Sequence, residues 1–183
     1  LDDLRQLSPT WRLLAEVGAA AAVWSIESGV EVSGIMPVDL ILTVLWVVGI
    51  SNAFNLLDNM DGLAAGLGAI TCLTFFALAA TNGQFLVAAL SIGLVGCTAG
   101  FLRYNFYPAQ IYMGDGGALF IGFLIAYLGL KLQLENTSRL ESALVPILAC
   151  SVAIFDTTLV TVSRLSTGRS PFQGGQDHVS HRL

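Results

Sequence analysis

The stretch Phe85-Leu-Val-Ala-Ala-Leu-Ser-Ile-Gly-Leu-Val-Gly-Cys-Thr-Ala-Gly-Phe-Leu102 contains no charged side chain. A helix that crosses the hydrocarbon core of a bilayer needs about 20 predominantly apolar residues. The stretch therefore predicts a transmembrane helix over residues 85–102. Its small residues Gly93, Gly96 and Gly100 are typical of close helix packing in lipid.

Apolar runs continue on both sides of this stretch. They cover residues 12–29, 38–54, 63–81, 117–133 and 143–163. The first run is the weakest, because Glu16 and Glu27 fall within it. We therefore expect an all-α fold, a polytopic transmembrane helical bundle with about six spanning helices.

The composition favours the membrane independently. The chain is 55% hydrophobic and 11% charged, with a mean hydropathy of +0.74, whereas soluble domains carry about 25% charged residues. The net charge is −5 and no basic patch is present, which excludes a role in binding nucleic acid. Cys72, Cys97 and Cys150 stand singly in apolar runs, as small packing residues do.

The loops between the six expected spans sort onto two sides. An even number of crossings puts both termini on one side, together with residues 55–62 and 103–116. Six of the eight basic residues lie on or beside that side and two lie on or near the other. The positive-inside rule makes the first side cytoplasmic. The two histidines and most aspartates fall there: Asp2, Asp3, Asp58, Asp61, Asp115, Asp177, His178 and His181.

The first of four polar motifs is the acidic pair Asp2-Asp3. Two adjacent carboxylates repel each other, so near a low-dielectric boundary one of them can have a raised pKa. Such a pair suits a base or a divalent cation. For an isolated Asp-Asp, a solvated helix end is the simpler explanation.

The second motif places a polar residue at every third position: Asn52, Asn55, Asp58 and Asp61. The row begins inside an expected span and leaves it at the cytoplasmic face. Amides and carboxylates in a membrane helix are costly and usually functional. The alternative is hydrogen bonding between helices.

The third motif runs from Asn105 through Pro108 to Met113-Gly114-Asp115-Gly116-Gly117. Pro108 ends the preceding helix, and the glycines leave the backbone around Asp115 open to a ligand. A carboxylate at the start of the next helix suits a Mg²⁺ ion that binds a diphosphate. An ordinary turn between helices is the alternative.

The fourth motif is the tail 168–183, with Arg169, His178 and His181. These side chains could grip phosphate oxygens, or the two histidines could bind zinc, although no third His or Cys supports zinc. Asp156 lies within the last expected span. It is either a functional residue or one that bonds to Thr or a neighbouring helix.

Together the four motifs resemble the polyprenyl-phosphate N-acetylhexosamine-1-phosphate transferases, glycosyltransferase family 4. Residues 52–63 and 105–115 carry the resemblance in combination, and it extends over the whole chain. It implies transfer of a sugar 1-phosphate, with N-acetylglucosamine favoured, from a UDP-sugar to undecaprenyl or another polyprenyl phosphate. UMP is released, in the first membrane step of cell-wall or surface-glycan synthesis. The cofactor is Mg²⁺, with Mn²⁺ as the alternative ion.

The resemblance also implies a role for each matching residue. Asp115 is the metal ligand together with Asn55, and Asp2 and Asp3 activate or position the lipid phosphate, so Asp2, Asp3 and Asp115 are the catalytic residues. Arg12 stands where the family usually has a phosphate-binding Lys. The other substrate-binding residues are Asn52, Asn105, Asp58 and Asp61, the last two near the nucleotide, and Arg169, His178 and His181 at the diphosphate and sugar.

The resemblance implies a multi-pass protein of the bacterial plasma membrane with its active site on the cytoplasmic face. It is also compatible with a homodimer. Ser180 replaces a histidine that many members have, and the tail is similar to the N-acetylglucosamine branch rather than the muramoyl-pentapeptide branch. Full-length members have additional N-terminal helices. We expect residues 1–183 to be a single C-terminal catalytic portion, cut at both ends.

Two other classes of function remain open from the residues. Half-buried rows of Asn and Asp also line transporters and channels. That class expects acids near the midplane of the bilayer, and only Asp156 fits. A scaffold without catalysis is the second alternative, which the clustering of acids with His and Arg disfavours.

Overall fold

The computed structural model describes residues 9–27, 29–135 and 137–166, and every regular element in these ranges is an α-helix. The all-α expectation is confirmed. The helices are α1 (Pro9–Glu27), α2 (Met36–Leu57), α3 (Leu63–Thr81), α4 (Phe85–Asn105), α5 (Gly114–Lys131), α6 (Arg139–Ala149) and α7 (Ser151–Ser166).

The helices form a multi-pass membrane bundle. In the described part of the chain, four of them, α2 to α5, are long and apolar enough to cross a bilayer, and α6 with α7 makes a fifth crossing if the pair counts as one span. The expected number of about six is therefore approximate. Helix α1, with 19 residues, is long enough but not apolar enough to be counted with them, and it is the run that Glu16 and Glu27 weaken.

The last expected span, 143–163, is broken into α6 and α7. The two helices bend by 71° relative to each other. Pro146 lies inside α6, and it has no N–H to bond to the carbonyl of Ser142, which weakens the helix locally. Helix α6 ends one turn after this proline and α7 begins at Ser151.

Helix α2 is the centre of the bundle. It packs against α1, α5 and α7, while α3 packs mainly against α4 across a short turn. Gly83 occupies that turn with a φ of +67°, a conformation that favours glycine. The side chains of Val47, Phe54, Phe75 and Ile125 are fully buried in the shared core.

The backbones of α2 and α5 touch at Gly122. A Cβ atom added there would lie 2.7 Å from the Cα of Ser51 and 3.0 Å from its carbonyl oxygen. The indole Nε1 of Trp46 donates a hydrogen bond of 3.0 Å to the carbonyl of Ala126, further along the same contact. This contact fixes the separation of the two helices that carry Asn55 and Asp115.

The glycines of α4 do not have the packing role that the sequence suggested. Gly93, Gly96 and Gly100 are exposed, and a Cβ at any of them would meet no other atom of the described chain within 4 Å. Helix periodicity alone cannot say which glycine face meets a neighbour, so the expectation was wrong for these residues within the described chain.

Candidate active site

Helix α1 brings a cation to the start of α5. The Nη1 atom of Arg12 donates to Oδ2 of Asp115 at 2.6 Å, across 103 positions of sequence. The two side chains are 28% and 44% exposed, so the ion pair stands at an accessible edge of the bundle. Asp115 lies in the first turn of α5, where the positive end of the helix dipole favours a carboxylate.

The polar row of α2 lies beside this ion pair in the fold. Asn52 donates from Nδ2 to the carboxylate of Glu16 and, at 2.9 Å, to the carbonyl of Val48. Asn55 follows one turn later on α2. Its Oδ1 atom is buried and accepts no hydrogen bond from the described residues, which is a costly arrangement unless a ligand completes it.

Asp58, the third residue of the row, directly follows the last residue of α2. Burial, with a smaller contribution from the charge of nearby Asp115, raises the pKa of its carboxyl to about 6, although the backbone N–H of Gly114, which donates to it, acts in the other direction. Asp115 is therefore close enough to disfavour ionisation of Asp58. The sequence predicted both residues for the site, and the structure brings them together.

Asp61 and Asn105 bind backbone rather than standing free. Oδ2 of Asp61 accepts from the N–H of Ala109 at 2.9 Å. Asn105 is only 3% exposed; its Oδ1 accepts from the N–H of Gly62 at 3.0 Å and its Nδ2 donates to the carbonyl of Ile111 at 2.9 Å. These bonds tie the turn after α2 to the loop before α5, so both residues position the segment that ends at Asp115.

The described part of the site suits a hard cation. Carboxylate and amide oxygens are the donors that Mg²⁺ prefers, and Asp115 with the unsatisfied Oδ1 of Asn55 supplies both kinds. The described residues contain no cluster of three or more His, Cys, Asp or Glu side chains that could hold a metal. Mg²⁺, which commonly keeps several waters and shares substrate phosphates, does not require such a cluster.

Several predicted site residues lie outside the described residues. They are Asp2, Asp3, Arg169, His178 and His181. Asp156 is described: it is buried in α7, 6% exposed, beside Thr157, whose Oγ1 accepts and donates no hydrogen bond to the described chain. A function for Asp156 stays a prediction.

Glu16 is the contact residue that the sequence analysis did not place in the site. It appeared there only as a charge that weakens the first apolar run. Its spacing of four from Arg12 puts both on one face of α1, and this spacing was the signal that could have assigned it.

Comparison with known proteins places the chain in a family. Residues 1–133 match the family described as glycosyl transferase family 4. A probable undecaprenyl-phosphate N-acetylglucosaminyl 1-phosphate transferase of Bacillus subtilis (strain 168) is 39% identical over 100% of this chain and 53% of its own length.

Two further relatives match parts of the chain. A decaprenyl-phosphate N-acetylglucosaminephosphotransferase of Mycobacterium leprae (strain TN) is 33% identical over 79% of this chain and 41% of its own length. A phospho-N-acetylmuramoyl-pentapeptide-transferase of Rubrobacter xylanophilus is 40% identical over 62% of this chain and 34% of its own length. The chain spans about half the length, or less, of the curated relatives it matches. Its second and third motifs lie together in the structure, near Arg12 and Asp115. Because the family match covers more than half of the sequence, the chain belongs to glycosyl transferase family 4.

Proposed function

We propose that this chain forms the catalytic portion of an enzyme that transfers a sugar 1-phosphate from a UDP-sugar to a polyprenyl phosphate. The observation that carries the proposal is the gathering of Arg12, Asn55, Asp58 and Asp115 from three helices at one end of the bundle. Two anionic substrates can meet only where positive charge offsets their repulsion. Membership of the family, and relatives named for this kind of transfer, support the same reaction.

The proposed step is a direct displacement. An oxygen of the lipid phosphate attacks the phosphorus that bears the sugar, and the bond from that phosphorus to the oxygen bridging to the nucleotide breaks. UMP leaves and the sugar remains on a lipid diphosphate. A two-step path through an aspartyl intermediate is the rival, and a phosphosugar trapped on Asp2 or Asp3 would exclude the direct path.

The residues have separable tasks in this proposal. When bound, Mg²⁺ would offset charge on the diphosphate, and Asp115 with Asn55 would hold it. Arg12 donates hydrogen bonds to phosphate oxygens from the position in which it now binds Asp115. Asp58, with its pKa raised to about 6, can accept or donate a hydrogen bond at the nucleotide.

The residues outside the described ranges complete the proposal. Asp2 and Asp3 position or deprotonate the lipid phosphate, and Arg169, His178 and His181 contact the diphosphate and the sugar. The excess of Arg on one side supports placing all of these groups on the cytoplasmic face.

An apolar cleft beside α2 suits the lipid chain. It has a volume of about 370 Å³ and lies between α2 and α7, where Leu45, Trp46 and Ile154 line it. Hydrocarbon in such a cleft stays within the apolar layer of the membrane. N-acetylglucosamine is the proposed sugar, because relatives named for it match most or all of the chain while the muramoyl-pentapeptide relative matches 62%.

The proposal is tested with membranes from cells that make the natural protein. They receive labelled UDP-N-acetylglucosamine, undecaprenyl phosphate and Mg²⁺, and labelled lipid and UMP are measured. We expect both products in equal amounts, and comparison with other UDP-sugars identifies the preferred donor. Membranes that form neither product from any UDP-sugar would overturn the proposal and favour the transporter or scaffold alternatives.

The variant Asp115→Asn tests the predicted metal ligand. Because an amide holds a divalent cation less strongly than a carboxylate, Mg²⁺-dependent turnover should fall on the order of a hundredfold or more. Glu135→Gln removes one charge from an exposed residue in another loop and is the matched control. Retained activity in Asp115→Asn would remove this residue as the ligand.

A further inference from the structure

Helix α1 carries two ionisable groups on one face, and each meets a different helix. Arg12 and Glu16 are four residues apart, hence neighbours on the helix surface. Arg12 binds Asp115 at the start of α5, and Glu16 accepts a hydrogen bond from Asn52 on α2. Helix α1 is therefore attached to both helices that bear the proposed metal ligands.

The contact with Glu16 fixes the orientation of the Asn52 amide. The amide nitrogen has two hydrogens, and its two partners are the Glu16 carboxylate and the Val48 carbonyl. An ionised carboxylate and a carbonyl only accept hydrogen bonds, so the nitrogen of the amide must face them. Oδ1 is then the atom of Asn52 that remains to accept a hydrogen bond from a ligand.

Without Glu16 the amide would lose one of the two acceptors that hold it. A half-buried amide whose hydrogens lack partners can lower its free energy by rotating or by binding water. Asn52 is one turn before Asn55, so a disturbance there reaches the unsatisfied Oδ1 of Asn55 along the same helix face.

We propose that Glu16 is a positioning residue: it holds Asn52 with its oxygen available to the donor substrate and anchors α1 so that Arg12 reaches the diphosphate. This inference rests on the proposed function and assigns a role to a residue that the motifs do not contain. Glu16 touches no reacting atom in this role. Its removal therefore weakens binding of the UDP-sugar more than it slows the chemical step.

The test is a double-mutant cycle on Glu16 and Asn52, measured as KM for the UDP-sugar and kcat in membranes. Glu16→Met keeps the bulk of the side chain and removes the acceptor, and we expect KM to rise about tenfold, the equivalent of one lost hydrogen bond to a charged group, with kcat changed less than about twofold. Because Glu16 acts through its hydrogen bond with Asn52, Glu16→Met should add little to the effect of Asn52→Ala.

Two further variants keep the test decisive. Glu16→Gln retains an acceptor oxygen, so KM should return to within about threefold of the natural protein even if Glu16→Met accumulates poorly. Val17→Met changes the next residue of α1, which is exposed, and should leave KM and kcat unaltered. If the contact between Glu16 and Asn52 only stabilised the fold, Glu16→Met would lower the amount of folded protein, and it would not raise KM while leaving kcat nearly unchanged.

The outcomes separate the inference from the function on which it rests. If the natural protein turns over but KM is unchanged in Glu16→Met, the role of Glu16 alone is overturned. The same holds if the effects of Glu16→Met and Asn52→Ala simply add. A fall in kcat at constant KM also overturns it. Absence of turnover in the natural protein overturns both proposals together.

Discussion

Asp58 directly follows α2, where the chain leaves the apolar layer, and opposing influences act on its carboxyl. Burial and the charge of Asp115 raise its pKa to about 6, and the N–H of Gly114 acts in the other direction. The sequence marked Asp58 by its place in the row of every third residue. It could not predict the raised pKa, because that depends first on burial and then on the charge of Asp115, both of which follow from how the helices pack.

The raised pKa of Asp58 predicts a pH dependence of stability. Since the folded pKa lies above the usual value of 3.8, folding favours the protonated carboxyl, so the contribution of Asp58 is greatest below about pH 4 and is lost as pH rises through about 6. With a chelator present, the melting temperature should fall over this window and level off above it. Asp58→Asn should flatten this part of the profile, and an unchanged slope in that variant would contradict the assignment.

At the scale of the helices, one glycine decides how close the site residues come. The sequence predicted close packing by glycine but assigned it to α4, whose glycines face outward in the described chain. Nothing in the apolar run around Gly122 distinguishes this glycine in the sequence. Its importance comes from its contact with the backbone of Ser51, which lies on another helix. The break between α6 and α7 was within reach of the sequence, since Pro146 is visible there.

Gly122→Ala should disturb the contact between α2 and α5. The added methyl would lie 2.7 Å from a backbone atom, which cannot move aside as a flexible side chain can, and overpacking of this kind costs about 1–3 kcal/mol. The melting temperature in detergent should fall, and turnover should fall with it.

Gly66→Ala is the matched control for this substitution. A Cβ at Gly66 meets nothing within 4 Å in the described chain, and alanine is favoured over glycine inside a helix by roughly 0.5–1 kcal/mol. Equal melting temperatures for the two variants would show that the close contact does not limit stability.

For the molecule as a whole, the membrane topology predicted which parts of the chain would meet. Sorting the loops onto one side predicted that motifs far apart in sequence would come together, and the hydrogen bonds between Asp61 and Ala109 and between Gly62 and Asn105 join the second and third motifs in this way. The topology did not predict what each polar side chain does there. Asp61 and Asn105 were expected at the substrate, and that stays a prediction; the structure shows hydrogen bonds between both side chains and backbone groups of the turn after α2 and the loop before α5.

Asn105→Ala should separate these two loops. The N–H of Gly62 and the carbonyl of Ile111 would lose their partner, and a lost hydrogen bond typically costs about 0.5–1.5 kcal/mol. Hydrogen exchange at Gly62 should accelerate, as measured on peptides that cover residues 58–66. Gln110→Ala, in the same loop but with an exposed side chain, should leave that exchange unchanged, and equal exchange in both variants would contradict the bridge.

The contact at Gly122 also has a consequence for motion within the protein. Because the backbones of α2 and α5 touch there without intervening side chains, we expect these two helices to move together. Helix α1 reaches this pair at the site through the hydrogen bonds of Arg12 and Glu16. If the proposed reaction requires displacement of the chain, we expect α1 and the loops to move relative to α2 and α5.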